Sequence, residues 1–169
     1  MADAIVNRVA ESALITFDLE DLFVEGVRTE VDLSQWLDQG FILREKEFRA
    51  ALKSHDWSTY QDQLIALSCS TDAILPAWAS LLVATYLQPY AKKTVMGTLN
   101  DLEVQLFTEK IQALDTAPFK GQPLIIKGCS DKTVPQQAYI QLIDKLQPVV
   151  KSLFYGEACS SVPLYKKKK

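Results

Sequence analysis

The sequence predicts an α/β fold: a mostly parallel sheet of about four strands, built from a duplicated β-α-β unit and preceded by an N-terminal strand pair. Three observations predict it. Short apolar runs typical of buried parallel strands alternate with longer helical patterns. Two strand–helix–strand segments match each other, and alternating apolar and polar residues precede them. The 169 residues fit one α/β domain.

The N-terminal segment, residues 1–60, is predicted to contain two strands and a helix. Residues 14–19 and 27–33 alternate apolar and polar side chains, which indicates a hairpin or a pair of edge strands. Ser34 is expected to cap a short helical turn. A helix is then predicted over residues 44–54, because Phe48, Ala51 and Leu52 share one face.

Two repeat units follow, residues 61–98 and 123–161, and a crossover helix is predicted between them in residues 99–122. In each unit an apolar strand leads to a Cys-Ser pair, a proline that opens a helix, a Leu-Gln-Pro that ends it, and a second strand. From the prolines onward the offset is constant (135 − 76 = 59). Any two βαβ units share some of the residues that start and end helices, but these in-register matches favour a duplication. Residues 162–169 are predicted to be a lysine tail.

Composition excludes several classes of protein. The net charge of −3 gives no broad basic face for nucleic acid. The chain has no apolar run long enough to span a membrane, and its N-terminus lacks a signal-peptide core. We therefore expect a cytoplasmic protein. Three cysteines, an odd number, argue against a disulfide framework.

The three cysteines and the single histidine are the candidate metal ligands. Cys69, Cys129 and Cys159 each follow a predicted strand, so we expect them at one edge of the sheet, where parallel sheets bind ligands. With His55 they make a tetrahedral ligand set for zinc, or a ligand set for an iron–sulfur cluster. His55 precedes a strand, so it could lie at this edge of the sheet or at the opposite edge.

Local spacing does not decide between metal binding and its alternatives. The intervals are 14, 60 and 30 residues (69 − 55, 129 − 69, 159 − 129), with no CxxC pair. The cysteines could instead be unreactive packing residues. A thiol enzyme, with Cys129 or Cys69 activated by a helix N-terminus, is a further alternative. So is a metal-free adaptor that uses the lysine tail.

Six segments carry a family resemblance: residues 5–7, 15–21, 55–57, 87–89, 127–130 and 155–160. They extend over nearly the whole chain and resemble a bacterial family of uncharacterised proteins catalogued as domain of unknown function 2480. The resemblance implies an accessory role in iron–sulfur metabolism, with iron–sulfur assembly proteins as partners. His55 and the three cysteines agree with the family pattern.

Overall fold

A computed structural model describes residues 14–128 and 131–168. They form four α-helices and seven strands, which confirms the α/β fold class. None of the helices in this part of the chain is long and apolar enough to cross a bilayer. Short 3₁₀-helices also occur at Leu19–Leu22, Leu33–Trp36, Trp57–Tyr60 and Ala117–Phe119. The main elements are β1 (Ile15–Phe17), β2 (Arg28–Asp32), α1 (Glu45–Ser54), β3 (Leu64–Ser68), α2 (Ala77–Leu87), β4 (Lys93–Met96), α3 (Leu99–Gln112), β5 (Pro123–Ile126), α4 (Gln136–Leu146), β6 (Ser152–Glu157) and β7 (Ser160–Lys166).

The strands form two sheets, where the sequence analysis expects one. The four-stranded sheet has the order β1-β5-β6-β7, with only β6 and β7 antiparallel. The three-stranded sheet has the order β2-β3-β4 and is parallel throughout. The N-terminal strands β1 and β2 do not pair with each other. Each is an edge strand of its own sheet, so the second of the two predicted arrangements is the correct one.

The chain divides into two compact units, each with its own hydrophobic core. The first unit consists of Met1–Phe23 and Leu106–Lys169, and the second unit of Val24–Gln105. In the first unit, α4 packs Leu142 and Leu146 into a core that includes Leu124 of β5. In the second unit, α1 and α2 pack Phe48 and Val83 into a core that includes Ile65 of β3.

The duplication predicted from the sequence is present in the backbone. Strand β3 pairs with β4 from Leu64↔Lys93, and β5 pairs with β6 from Pro123↔Ser152. The first residue of each strand in one pair is 59 positions from its counterpart in the other pair (123 − 64 = 59 and 152 − 93 = 59). Helices α2 and α4 also start 59 residues apart (136 − 77 = 59) and have equal length. Each unit therefore contains one copy of the same β-α-β element.

The shared Cys-Ser pairs do not keep the offset of this repeat. The sequence match sets Cys69 against Cys129, which is an offset of 60 (129 − 69 = 60). The strands before these residues and the helices after them both keep an offset of 59. At the offset of the flanking strands and helices, Cys69 is matched by Gly128. The Cys-Ser match thus requires a shift of one residue between strand and helix, and it stays a prediction, because Cys129 and Ser130 lie outside the described residues.

Candidate functional site

The predicted ligands are distributed over both units. Cys69 lies just beyond β3 in the second unit, is half-buried, and has its Sγ 3.5 Å from the Thr71 hydroxyl. His55 also belongs to the second unit and caps the C-terminus of α1. Cys159 is exposed in the turn between β6 and β7 of the first unit. Cys129 lies outside the described residues.

The prediction of one common sheet edge requires correction. Cys69 follows a strand of the three-stranded sheet, whereas Cys159 follows a strand of the four-stranded sheet. The sequence analysis assigned all these strands to one sheet, because buried strands have similar apolar sequences whichever sheet they join. His55 and Cys69 are separated along the chain by β3, whose five residues span about 16 Å.

The four-stranded sheet does bring two of the cysteine-bearing segments to one edge. Strands β5 and β6 are parallel neighbours and pair up to Ile126↔Tyr155, so both run toward the same edge of the sheet, where β6 continues into the turn to β7. Gly128, which directly precedes Cys129, approaches β6 so closely that a Cβ on it would lie 3.3 Å from the Gly156 Cα. Cys159 comes three residues after Gly156. The carboxyl ends of β5 and β6 therefore lie at one edge of this sheet, and Cys129 and Cys159 each follow one of these strands in the sequence.

The imidazole of His55 packs among aromatic rings. Its ring centroid is 4.7 Å from that of Trp57 and 5.3 Å from that of Trp36, both edge-on. It stacks on Tyr60 at 5.7 Å, and its Nε2 is 3.2 Å from the Tyr60 hydroxyl. These contacts give His55 a packing and hydrogen-bonding role in the second unit. Within residues 14–128 and 131–168, no three His, Cys, Asp or Glu side chains form a group that could hold a metal ion, and the four-ligand hypothesis stays a prediction.

An ion pair lies at the same edge of the four-stranded sheet as the Cys129 segment. Lys127, two residues before Cys129, donates a hydrogen bond of 2.7 Å from its Nζ to Asp18 Oδ2. The Asp18 Oδ1 also accepts from the Glu20 backbone N–H. Partial burial raises the pKa of Asp18, but the bonds from Lys127 and Glu20 outweigh it and lower the pKa below its usual value. The pair links the residue that follows β5 to the residue that follows β1.

Comparison with known families identifies the relatives of this chain. A family model described as "Protein of unknown function (DUF2480)" matches residues 3–167. The chain belongs to the DUF2480 family. No curated protein and no solved structure matches this DUF2480 chain significantly. The family resemblance stated from the sequence is confirmed, and the match assigns no activity.

Sequence reasoning missed Asp32, which organises the corresponding edge in the second unit of this DUF2480 chain. The Asp32 carboxylate accepts hydrogen bonds from the backbone N–H and hydroxyl groups of Ser34 and of Ser70. Partial burial raises the pKa of Asp32, but these bonds outweigh it and hold the pKa far below its usual range. A signal exists in the sequence: both Asp18 and Asp32 follow an apolar strand residue and precede leucine.

The sequence analysis also missed a cleft in the first unit of this DUF2480 chain. The cleft has a volume of about 500 Å³ and lies between α4 and the β6–β7 hairpin. It requires β7, a strand that the sequence analysis does not predict. Its lining is mostly apolar and includes Ile126, Tyr139, Ile140, Leu153, Tyr155 and Leu164.

Proposed function

We propose that this chain is a metal-binding protein that holds zinc or an iron–sulfur cluster at the carboxyl edge of its four-stranded sheet, with Cys129 and Cys159 as ligands. The observation that supports this best is the parallel pairing of β5 with β6. Cys129 follows β5 by three residues, and Cys159 follows β6 by two. Ligands of parallel sheets bind at this edge, and thiolates suit both zinc and iron–sulfur clusters.

Lys127 and three carboxylates set the charge next to this edge. Lys127 lies two residues before Cys129, and its pKa is raised by the hydrogen bond to Asp18 and by the carboxylates of Asp18, Glu20 and Glu157. Its ammonium therefore stays protonated at neutral pH. A cysteine must lose its proton to bind a metal, so metal binding at this edge should strengthen as the pH rises.

Two thiolates do not complete a tetrahedral site. The ligand set predicted from the sequence also contains Cys69 and His55, which belong to the second unit. We treat each as a separate arm of the experiment. Loss of metal in a variant of either residue would extend the ligand set, and unchanged metal would limit it to the first unit.

The test is the metal content and visible spectrum of protein purified without oxygen or chelators. We expect about one zinc ion, or one iron–sulfur cluster, per chain. Cys129→Ser and Cys159→Ser should each bind the metal at least about tenfold more weakly, since each removes a thiolate. Cys69→Ser makes the same chemical change in the other unit, and its metal content decides whether Cys69 belongs to the ligand set.

Two outcomes would contradict the proposal. Folded, colourless, metal-free wild-type protein that cannot be reconstituted with zinc, or with iron and sulfide, would exclude a metal site. Full metal content in both Cys129→Ser and Cys159→Ser would show that the metal binds elsewhere. Circular dichroism of each variant separates the loss of a ligand from the loss of the fold.

For a cluster-bound form we propose an accessory role in iron–sulfur metabolism, as the family resemblance implies. This role would require a reducing compartment, which keeps cysteines available as thiols. Anaerobic transfer of the cluster to an apo-ferredoxin tests it. A cluster that remains on the chain while the ferredoxin stays empty would leave metal binding intact and remove the assembly role.

A further inference from the structure

Four exposed lysines lie at the amino edge of the four-stranded sheet. Lys120 precedes β5, Lys151 precedes β6, and Lys166 ends β7. Lys167 follows directly. Because β7 runs antiparallel to β6, its last residues lie beside the first residues of β6, and Lys166 pairs with Ser152. Three segments of the chain therefore bring their lysines to one edge.

Backbone hydrogen bonds hold two of these segments together. The Lys151 N–H donates to the Gln122 carbonyl at 2.9 Å, and the Lys167 N–H donates to the Lys151 carbonyl at 3.0 Å. A hollow of about 310 Å³ opens at this place, and Lys120, Lys151 and Lys167 all line it. The rest of its lining is glycine, proline and valine. The backbone therefore places the lysines around one hollow.

No described carboxylate pairs with these four lysines. Neither this hollow nor a second one, which shares Lys151 and includes Lys166, has an Asp or Glu among the described residues that line it. Other cations of the chain do have carboxylate partners: Arg28, Arg44, Arg49 and Lys127. Lysines are positively charged at neutral pH, and like charges held side by side repel each other. A bound anion would relieve this repulsion.

The second unit shows that the β-α-β element does not require such a cluster. The turn before β3 has the same backbone hydrogen bonds as the turn before β5. At the offset of 59, Gln61 takes the place of Lys120. Lys92, the counterpart of Lys151, donates a hydrogen bond of 3.2 Å from its Nζ to the Glu25 carbonyl. The lysine that both copies share thus has a partner within the chain in the second unit only, as far as the described residues show.

We propose that this edge, defined by Lys120, Lys151, Lys166 and Lys167, is a docking surface for an acidic protein segment in an extended conformation. The lysines belong to the ends of three adjacent strands, and adjacent strands are about 4.8 Å apart, so the row is about 10 Å wide. Side chains on one side of an extended segment repeat about every 6.6 Å. Two or three Asp or Glu residues of the partner can therefore contact the row together.

The overall charge favours a short acidic segment over a long polyanion. The chain carries a net charge of −3, with 21 Asp and Glu residues, so the positive potential is confined to this edge. The phosphates of a nucleic acid would extend beyond the lysines toward these carboxylates. The inference is independent of the proposed metal site, because Cys129 and Cys159 follow the opposite, carboxyl ends of β5 and β6 in the sequence.

Fluorescence anisotropy with a labelled peptide of eight glutamates tests the proposal. We expect the full chain to bind it at about 20 mM NaCl and at least about tenfold more weakly at about 200 mM, because salt screens exposed charges. Lys151→Glu combined with Lys167→Glu should weaken binding at least about tenfold at the lower salt concentration. The matched control is Lys46→Glu combined with Lys53→Glu on α1, since both residues are exposed and the net charge changes equally. The control should keep most of the affinity.

Carbodiimide crosslinking locates the contact on the unmodified chain. This reagent joins a lysine amine to a glutamate carboxylate, and peptide mass mapping identifies the lysine. We expect crosslinks to the glutamate peptide on the four lysines of this edge, and few on Lys46 or Lys53. Circular dichroism of each double variant separates the loss of the surface from the loss of the fold.

Three results would overturn the proposal. The first is no binding of the glutamate peptide at the lower salt concentration, or equal weakening by the two double variants. The second is crosslinks that are spread evenly over the exposed lysines. The third is binding of a deoxythymidylate octamer or of phosphatidylserine vesicles without binding of the glutamate peptide, which would assign this edge to a nucleic acid or to a lipid surface.

Discussion

Single carboxylates hold the strand-end loops of both units. Asp32 accepts hydrogen bonds from Ser34 and, across to the next strand, from Ser70. The sequence analysis assigned the cap of this turn to Ser34, but the N-cap is Asp32, with extended backbone angles. Both residue types are good caps. Asp32 ends β2, and its carboxylate accepts hydrogen bonds from both Ser34 and Ser70, so it caps the turn and also holds the neighbouring loop.

Asp32 should stabilise the second unit in a pH-dependent way. Its folded pKa lies below the unfolded value of about 3.9, so the carboxylate contributes stability that is present above about pH 4 and is lost as pH falls toward the folded pKa. We expect Asp32→Asn to lower the free energy of unfolding at pH 7 by about 1–3 kcal/mol. Urea titrations followed by tryptophan fluorescence at pH 7 and pH 3 measure this. The difference in the free energy of unfolding between Asp32→Asn and wild type should be smaller at pH 3 than at pH 7.

Asp38→Asn is the control for this prediction. Asp38 forms an exposed ion pair with Arg44, in which the two side chains are 37% and 57% accessible. Water and salt weaken exposed ion pairs, so the loss of stability at pH 7 should be smaller than for Asp32→Asn. Two results would contradict the role assigned to Asp32. One is an equal loss of unfolding free energy in the two variants, and the other is a loss in Asp32→Asn that does not change with pH.

The candidate ligands show how far residues can be located from sequence. The position of each cysteine relative to its strand depends on local pattern alone, and the described cysteines, Cys69 and Cys159, do follow strands. Which strands share a sheet depends on pairings such as Ile15↔Leu124, far apart in the chain. No local pattern encodes these pairings. The sequence therefore predicts one common edge for all three cysteines, whereas only the strands before Cys129 and Cys159 belong to the same sheet.

At the scale of elements, the two β-α-β copies share their turns as well as their helices. The turn before β3 is closed by the Asp62 N–H bonding to the Tyr90 carbonyl, and the turn before β5 by the Gly121 N–H bonding to the Val149 carbonyl. Both residues have positive φ, 59° at Asp62 and 70° at Gly121. The same left-handed turn thus accepts two different residues.

This equivalence predicts which of two substitutions at Gly121 costs more stability. A Cβ there would meet no atom within 4 Å, so the cost of a side chain is conformational. Gly121→Ala should lower the free energy of unfolding by about 1 kcal/mol, and Gly121→Asn by less, because short polar side chains tolerate left-handed angles. Thermal or urea unfolding followed by far-UV circular dichroism measures both variants. An asparagine variant less stable than the alanine variant would contradict this explanation.

Helices and central strands were predictable because their signals are local. The helix predicted over 44–54 is α1 at Glu45–Ser54, and the prolines at positions 76 and 135 immediately precede α2 and α4. Strand β7 was missed. It is an antiparallel edge strand with Pro163 inside it and Lys166 at its end. Proline and lysine protect exposed edges but also resemble a loop or tail in sequence.

For the molecule as a whole, the separation into two units should be visible in unfolding. The two cores share no residue. All three tryptophans, Trp36, Trp57 and Trp78, lie in the second unit. Tryptophan fluorescence therefore reports on the second unit alone, whereas far-UV circular dichroism reports on the helices and strands of both.

We expect the two signals to give different urea midpoints, since units with separate cores need not unfold together. Fluorescence and circular dichroism recorded on the same samples provide the measurement. The Gly121→Ala variant adds a control, because it should shift the circular dichroism curve and leave the fluorescence curve in place. Superimposable curves for wild type and variant would show one cooperative transition and contradict this expectation.

The interleaving of the two units also sets an order of events on the ribosome. Strand β1 pairs with β5, and Leu124, the partner of Ile15, is synthesised 109 residues after it (124 − 15 = 109). Translation at about 5–20 residues per second makes this a delay of about 5–20 s. The whole second unit is synthesised within that interval. The nascent chain can therefore complete its second unit first, while β1 stays without its strand partner, and it is during this interval that β1 is open to chaperones.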